Sequence, residues 1–254
     1  MKVIISPAKS INPVQLPQTD QYSIAKFLKE TDVLVKKLKK LSSKKIAEMM
    51  HLSEDLAELN FNRYQNWVEP TGLADAIFPA ISGFNGEVYK GIDAHSLSED
   101  ELKRLQETVY ILSGIYGVLK PLDLIHPYRL EMGTKWQITP KTKNLYQFWG
   151  TKLTDFVNEE MSSDEVLINL ASSEYFKALP FNKLNSKVIT PYFKDFKNGT
   201  LKIVMMYAKH QRGVMARYIV QNNIQNPEDL KLYNLDGYSF DVNNSTDTDW
   251  VFIR

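Results

Sequence analysis

The sequence predicts a mixed α/β protein, and three observations carry that reading. Short apolar runs at 2–5, 109–112 and 166–170 have the length and branching of buried strands. Between them lie segments with apolar residues at helical spacing, over 23–41, 144–161 and 207–223. Two of the runs end in a small polar turn, as strands do at the rim of an open α/β sheet where ligands gather. At 254 residues and 43% hydrophobic, the chain can bury a sizeable core. With no internal repeat and no low-complexity linker, the economical organisation is one domain over 1–254 with an inserted or appended helical pair.

Composition narrows the function classes. The absence of cysteine removes disulfides, thiolate metal sites and cysteine nucleophiles together. No apolar run reaches the length of a membrane span and the start does not read as a signal peptide, so a cytoplasmic location away from membranes is expected. A net charge of +1 argues against a uniformly basic nucleic-acid binder, but the charge is polarised. Residues 1–50 hold ten lysines against four acids, a balance of +6, while residues 227–254 hold two cations against six acids, a balance of −4.

Taken in order, 2–5 is a buried strand that stops at Ser6-Pro7-Ala8-Lys9, which makes Ser6 and Lys9 candidates for a cleft. Residues 10–21, with Pro13 and Pro17, read as an irregular surface segment. A helix of five turns is expected from Ser23, with Ile24, Phe27, Leu28, Leu34, Val35, Leu38 and Leu41 on one face. Six lysines and no acid lie between Lys36 and Lys45, Lys37, Lys40 and Lys44 among them. Two short helices then follow over about 43–66, built on Ile46, Met49, Met50, Leu52, Leu56 and Leu59, joined at His51-Leu52-Ser53 with Ser53 capping the second. This pair resembles a helix-hairpin-helix, in which hairpin amides and a helix N-terminus hold a DNA phosphate. The glycines usual in that hairpin are missing, and Glu54 and Asp55 oppose a phosphate at the helix start. Glu48-Met49-Met50-His51 matches half of a di-iron motif, but no second Glu-x-x-His exists, so no metal set is assembled.

A short helix is expected at 73–80 and a shaped glycine loop carrying Lys90 at 82–91, without the spacing of a phosphate loop. A capping box at Ser98 and Glu101 opens a helix over 98–108. The strand it feeds leads into 111–133, the stretch least like scaffold. Gly114 and Gly117 bracket Ile115-Tyr116, with one aromatic expected to turn outward, and Pro121 and Pro127 stiffen the path. Onto that path the chain sets Lys120, Asp123, His126, Tyr128, Arg129 and Glu131, the mixture a preorganised site needs. One helix is expected through 144–161. The strand at 166–170 turns through Ser172-Ser173-Glu174 into another helix, and 187–196 and 201–206 form a hairpin about Lys197-Asn198-Gly199. The helix over 207–223 carries Lys209, Arg212 and Arg217; the first two, three apart, share a face able to clamp a phosphate or carboxylate. Segments 237–241 and 250–253 read as closing strands.

Ordered motifs then identify a family. Ile4-Ser6-Pro7-Ala8-Lys9, Leu112-Ser113-Gly114-x-Tyr116-Gly117, Pro127-Tyr128-Arg129-Leu130-Glu131-Met132-Gly133, Ile168-Asn169-Leu170-Ala171-Ser172-x-Glu174 and Tyr207-Ala208-Lys209 with Arg212-Gly213 occur in sequence. The chain resembles, nearly end to end, the YaaA peroxide-stress protein family. The resemblance implies a single α/β domain of unusual topology with a mixed sheet, and DNA binding through a helix-hairpin-helix and a positive cleft. It further implies cytosolic action against peroxide stress, limiting free intracellular iron and the oxidative damage that follows. The expected partner is double-stranded or distorted DNA, held by its backbone through Lys36, Lys37, Lys40, Lys44, Lys45, Ser53, Arg129, Arg212 and Arg217. Ser6, Tyr116, Asp123, Tyr128, Ser172 and Ser173 are expected to line a central cleft open to a small ligand; no cofactor or metal is expected. The alternative is an enzyme acting on DNA or a nucleobase in the manner of a glycosylase or lyase. It would use Lys9 or Lys209 as amine nucleophile and Glu131 as acid or base.

Overall fold

The computed structural model describes residues 1–12 and 19–254; half of the segment expected to be irregular at 10–21, including Pro13 and Pro17, lies outside the described residues. Strand β1 (Lys2–Ile5) is buried over its last three residues and ends at Ser6-Pro7, where the proline removes a ladder donor. The short β2 (Ser10–Ile11) follows. Helix α1 (Leu28–Leu38) is shorter than the five turns expected. Phe27, Leu28, Leu34, Val35 and Leu38 are buried as expected, but Ile24 is exposed and Leu41 only half-buried. Ser23 exchanges backbone hydrogen bonds with Leu122 and Leu124 at 2.9 Å, which holds the residues before α1 extended. Helices α2 (Ser43–Met50) and α3 (Glu54–Gln65) pack together across a three-residue turn, with Ser42 and Ser53 as their side-chain caps. The face of α2 is buried as expected, on Ile46 and Met50, but that of α3 differs from the one read off the sequence. Ala57, Asn60 and Tyr64 point inward, whereas Leu56 and Leu59 are exposed.

The helix expected at 73–80 is absent. An Ala74–Ile77 bridge and β3 (Phe78–Pro79) take its place, because Pro79 forces Phe78 to be extended; α4 (Ala80–Gly83) starts only after it. Next come β4 (Phe84–Asn85) and α5 (Glu87–Ile92), a helix where a loop was expected. Helix α6 (Glu99–Thr108) has both bonds of its capping box and feeds β5 (Val109–Ser113). A tight turn leads back through β6 (Gly117–Leu119), with Gly117 at φ +73°, and the short β7 (Leu124–Ile125) pairs with β3. The single helix expected over 144–161 breaks in two, α7 (Leu145–Trp149) and α8 (Lys152–Glu160), at Gly150 with φ +54°. Strand β8 (Val166–Leu170) turns into α9 (Ser173–Phe176). The hairpin β9 (Lys187–Lys197) and β10 (Thr200–Lys202) follows, then α10 (Met205–Gln221), β11 (Ser239–Phe240) and β12 (Asp249–Ile253).

The main sheet is eight-stranded and mixed, in the order β11-β12-β9-β8-β1-β5-β6, with β10 on β9. Its five central strands, β12-β9-β8-β1-β5, are parallel, and antiparallel β11, β10 and β6 border them. Parallel strands covered on both faces read as continuous apolar runs, which is why β1, β5 and β8 were visible in the sequence. One cluster of buried residues runs from Val3 to Phe252. Helix α10 crosses α5 with backbone against backbone: a Cβ added at Gly213 would lie 1.8 Å from the Val88 carbonyl oxygen, and one at Gly91 2.4 Å from that of His210. The parallel arrangement brings the carboxyl ends of β8, β1 and β5 to one edge, so Ser172, Ser6 and Ser113 emerge side by side.

Candidate functional site

At that edge the turn after β1 meets the turn after β8. The Ser172 backbone N–H donates to Ser6 Oγ at 2.8 Å, and the two serine hydroxyls lie 3.3 Å apart. Tyr89 from α5 donates to the Ser6 carbonyl at 3.0 Å, which fixes the strand end against the helix layer. Three residues on, Lys9 Nζ reaches Glu131 Oε2 at 2.8 Å, and the other carboxylate oxygen lies 3.5 Å from Arg129 Nη2. Two cations from distant parts of the chain thus share one carboxylate. Sharing leaves Arg129 under-used, since its buried Nε has no hydrogen-bond partner among the described residues. A buried N–H without an acceptor is costly and marks a place where an anion or a water belongs.

The loop that presents Arg129 and Glu131 is held from below by tyrosines. Tyr64 of α3 donates to the Arg129 carbonyl, which links the helical pair directly to the edge. Tyr128 bonds Ser113 at 2.6 Å, and the Tyr116 hydroxyl takes bonds from Trp67 Nε1 at 3.2 Å and the His126 backbone N–H at 3.0 Å. Burial pushes the Tyr116 phenol up to about 12, so it stays a neutral strut. This corrects the expectation that Tyr116 turns outward: it is fully buried and supports the site from behind. Asp123 is likewise structural. It is buried, accepts Ser23 Oγ at 2.6 Å and Lys120 N–H at 2.7 Å, and burial raises its pKa against those hydrogen bonds. His126 is buried with an unpartnered Nε2, and burial lowers its pKa, so it is a neutral ring at pH 7.

On α10 the cations part company. Arg217 donates to the carbonyls of Ile92 and Asp93 at 2.8 and 2.9 Å and pairs with the Asp93 carboxylate at 3.5 Å. It satisfies the carboxyl end of α5 and is not free to hold a phosphate. Arg212 has no ion pair or hydrogen bond among the described residues. It is half-buried opposite Tyr192 of β9, and burial holds its guanidinium below the usual arginine value, opposed by that phenol. In the sheet register Ile5 lies against Leu170 and Ile168 against Ile189, so Ser6 and Tyr192 stand at one height, two strands or roughly 10 Å apart. Lys209, three residues before Arg212, is exposed. No hydrogen bond or ion pair joins Lys209 or Arg212 to the Lys9–Glu131–Arg129 group among the described residues. Arg212, beside Tyr192, stands apart from that group.

Of the lysines between 36 and 45, Lys36 pairs with Asp32 within α1 at 2.6 Å and Lys45 with Glu48 within α2 at 3.1 Å, while Lys37 on α1, Lys40 in the connection and Lys44 on α2 make no such contact among the described residues. Exposed pairs of this kind are weak and screened. Ser53 spends its hydroxyl on the amide of Leu56, and His51 holds the left-handed turn, φ 52°, where the hairpin glycine was missed. Glu48 is committed to Lys45, and no group of three or more potential metal ligands is found among the described residues. Two participants were not picked out. Glu174 accepts the Gly133 N–H at 2.8 Å and closes the 127–133 loop onto α9. Arg63, on α3 beside Tyr64, reaches the Ile11 carbonyl at 3.4 Å, with burial lowering its pKa. Its signal was faint: one arginine among polar residues on an otherwise acidic helix.

The sequence profile of the family described as "Peroxide stress protein YaaA" matches residues 1–244. The chain belongs to this family. Its relatives span it completely. A UPF0246 protein of Dechloromonas aromatica is 47% identical across all of this chain and 99% of its own, and one from Flavobacterium psychrophilum is 46% identical across the whole of both. One from Neisseria meningitidis is 44% identical across all of this chain and 98% of its own. Membership fixes the setting of this YaaA-family chain as peroxide stress. Among the described residues, no helix is long and apolar enough to cross a membrane.

Proposed function

We propose that this protein binds the phosphate backbone of double-stranded or distorted DNA in the cytoplasm during peroxide stress, without strong sequence preference. In this role it limits the oxidative damage to DNA that free intracellular iron causes. The observation that carries the reading is Arg212, a half-buried guanidinium with no acidic partner among the described residues. Taking a charge out of water without a counter-charge is unfavourable, and an anionic ligand removes the penalty. Arg129 with its orphaned Nε repeats the signature at the sheet edge, and Tyr64 connects that edge to the lysine-bearing helices. From Tyr64 back to Ser53, α3 spans about 16 Å, so hairpin and edge can engage one duplex. The test is fluorescence anisotropy of a labelled duplex and a bulged duplex in rising salt. Binding that weakens steeply with salt, and weakens further in Arg212→Gln, is expected. No binding to either DNA at low salt refutes it.

A second reading, lyase-like chemistry on DNA, is favoured by the Lys9–Glu131 contact of 2.8 Å, an amine beside an acid or base. Against it, the Lys9 side chain is 64% exposed, without the desolvation that activates an amine nucleophile. Borohydride trapping on abasic DNA separates the two readings: an adduct lost in Lys9→Ala supports chemistry, and its absence leaves binding.

A further inference from the structure

Of the eight methionines, Met50, Met132, Met161 and Met215 are buried, and Met1 and Met49 are half-buried. Met205 and Met206 are different: adjacent in sequence, 59% and 57% exposed, and together the first turn of α10. That turn has Val204 in the cap position and no side-chain acceptor for its free amides. Met206 also lines a cavity of about 250 Å³ with Tyr207, His210 and Arg254, whose guanidinium lies 4.8 Å over the Tyr207 ring.

We propose that Met205 and Met206 form a peroxide-reactive site, converted reversibly to methionine sulfoxide by hydrogen peroxide. The thioether sulfur attacks one peroxide oxygen, an S–O bond forms and the O–O bond breaks. The departing hydroxide takes up the proton left by the transferred oxygen and leaves as water. Sulfur is oxidised by two electrons and peroxide is reduced by two. Neither side chain is packed in the core, so the reaction proceeds without the disruption that a buried sulfoxide causes. The product carries a hydrogen-bond acceptor where the apolar side chain had none. Helical side chains lean toward the N-terminus, so the new oxygens come near the uncapped amides of the turn. The oxygen on Met206 also borders a cavity whose lining offers donors, Tyr207, His210, Gln211 and Arg254, beside the carboxylates of Glu87 and Asp236. Oxidation therefore makes polar the start of the helix that bears Lys209 and Arg212. The assignment stands apart from DNA binding.

The experiment treats the native full-length chain with hydrogen peroxide, quenches at intervals and maps oxygen by peptide mass. Met205 and Met206 are expected to gain one oxygen each at least about tenfold sooner than Met50, Met132, Met161 and Met215. The two methionine sulfoxide reductases together should remove both oxygens, and the double variant Met205→Leu, Met206→Leu should lack the early uptake. Early oxygen at other methionines, modification that the reductases do not reverse, or undiminished uptake in the double variant overturns the proposal. Should the variant fail to fold, the time course and reversal in the unsubstituted protein decide the question.

Discussion

Replacing Lys37, Lys40 and Lys44 together by alanine removes the lysines of the 36–45 run whose ammonium groups make no ion pair or hydrogen bond among the described residues, and leaves in place Lys39, which donates to the Trp67 carbonyl at 3.1 Å. Lys40 and Lys44 are exposed and Lys37 half-buried. Alanine is at least as good as lysine in a helix, so the change in stability should stay within about 0.5 kcal/mol. Lys36 and Lys45 are kept because Asp32 and Glu48 already share their charge. Each lysine that neutralises one phosphate contributes about 0.9 to the slope of log affinity against log salt, so three contribute about 2.7. Between 50 and 200 mM salt the unsubstituted protein should therefore lose roughly 40-fold more affinity than the variant does. Anisotropy of a labelled duplex at several salt concentrations measures both slopes. A variant slope equal to the original, with duplex binding intact, shows that these lysines face water only and do not carry the DNA.

Three further outcomes follow from contacts already described. Gly213→Ala places a methyl 1.8 Å from the Val88 carbonyl oxygen, backbone against backbone, so α10 must lift from α5. Calorimetry should show a loss of at least about 3 kcal/mol and a fall in Tm of roughly 6–12 °C, and an unchanged Tm contradicts the crossing geometry. Lys120→Met removes the hydrogen bond at 2.8 Å that, before any other cause, holds the Glu160 carboxyl below its ordinary value. A carboxyl depressed in the folded state stabilises above its unfolded pKa and ceases to do so as pH falls through its folded value. The variant should thus be less stable at neutral pH by under about 1 kcal/mol and match the original in acid, and an equal deficit at both pH values rejects the assignment. Glu131→Gln frees Lys9 and Arg129 from their shared carboxylate. Duplex affinity at low salt should rise about two- to fivefold, whereas a fall would place Glu131 among the groups that assist binding.

What could be read in the sequence, and what could not, divides along physical lines. Strands β1, β5 and β8 were legible because burial on both faces demands unbroken apolar runs, and α3 and α6 because Ser53 and Ser98 announce their starts. The helix expected at 73–80 failed because Leu73, Ile77 and Phe78 imitate helical spacing while Pro79 holds Phe78, the residue before it, extended. The break at Gly150 was hidden for a related reason: apolar spacing continues across it although the backbone does not. In the site, residue types pointed to Lys9, Arg129 and Glu131, yet the contact between Lys9 and Glu131 depends on parallel strands setting two distant turns side by side. Composition carries no trace of that juxtaposition.

The pair Arg212 and Arg217 shows why charge pattern alone could not sort ligand from scaffold. Both lie on α10, and five residues of helix turn them about 140° apart. The close crossing at Gly91 and Gly213 then decides their fates, since it presses one face of α10 onto α5 and sets Arg217 over the open carbonyls of Ile92 and Asp93. Those carbonyls need a donor, so Arg217 is consumed by the fold. Arg212 is turned instead toward Tyr192, where among the described residues no carboxylate meets it. A fold that needed only to be stable would gain by replacing such a guanidinium with an apolar side chain of similar volume. Its place beside Tyr192, which the strand register sets level with Ser6, is the ground for the proposed anion-binding surface.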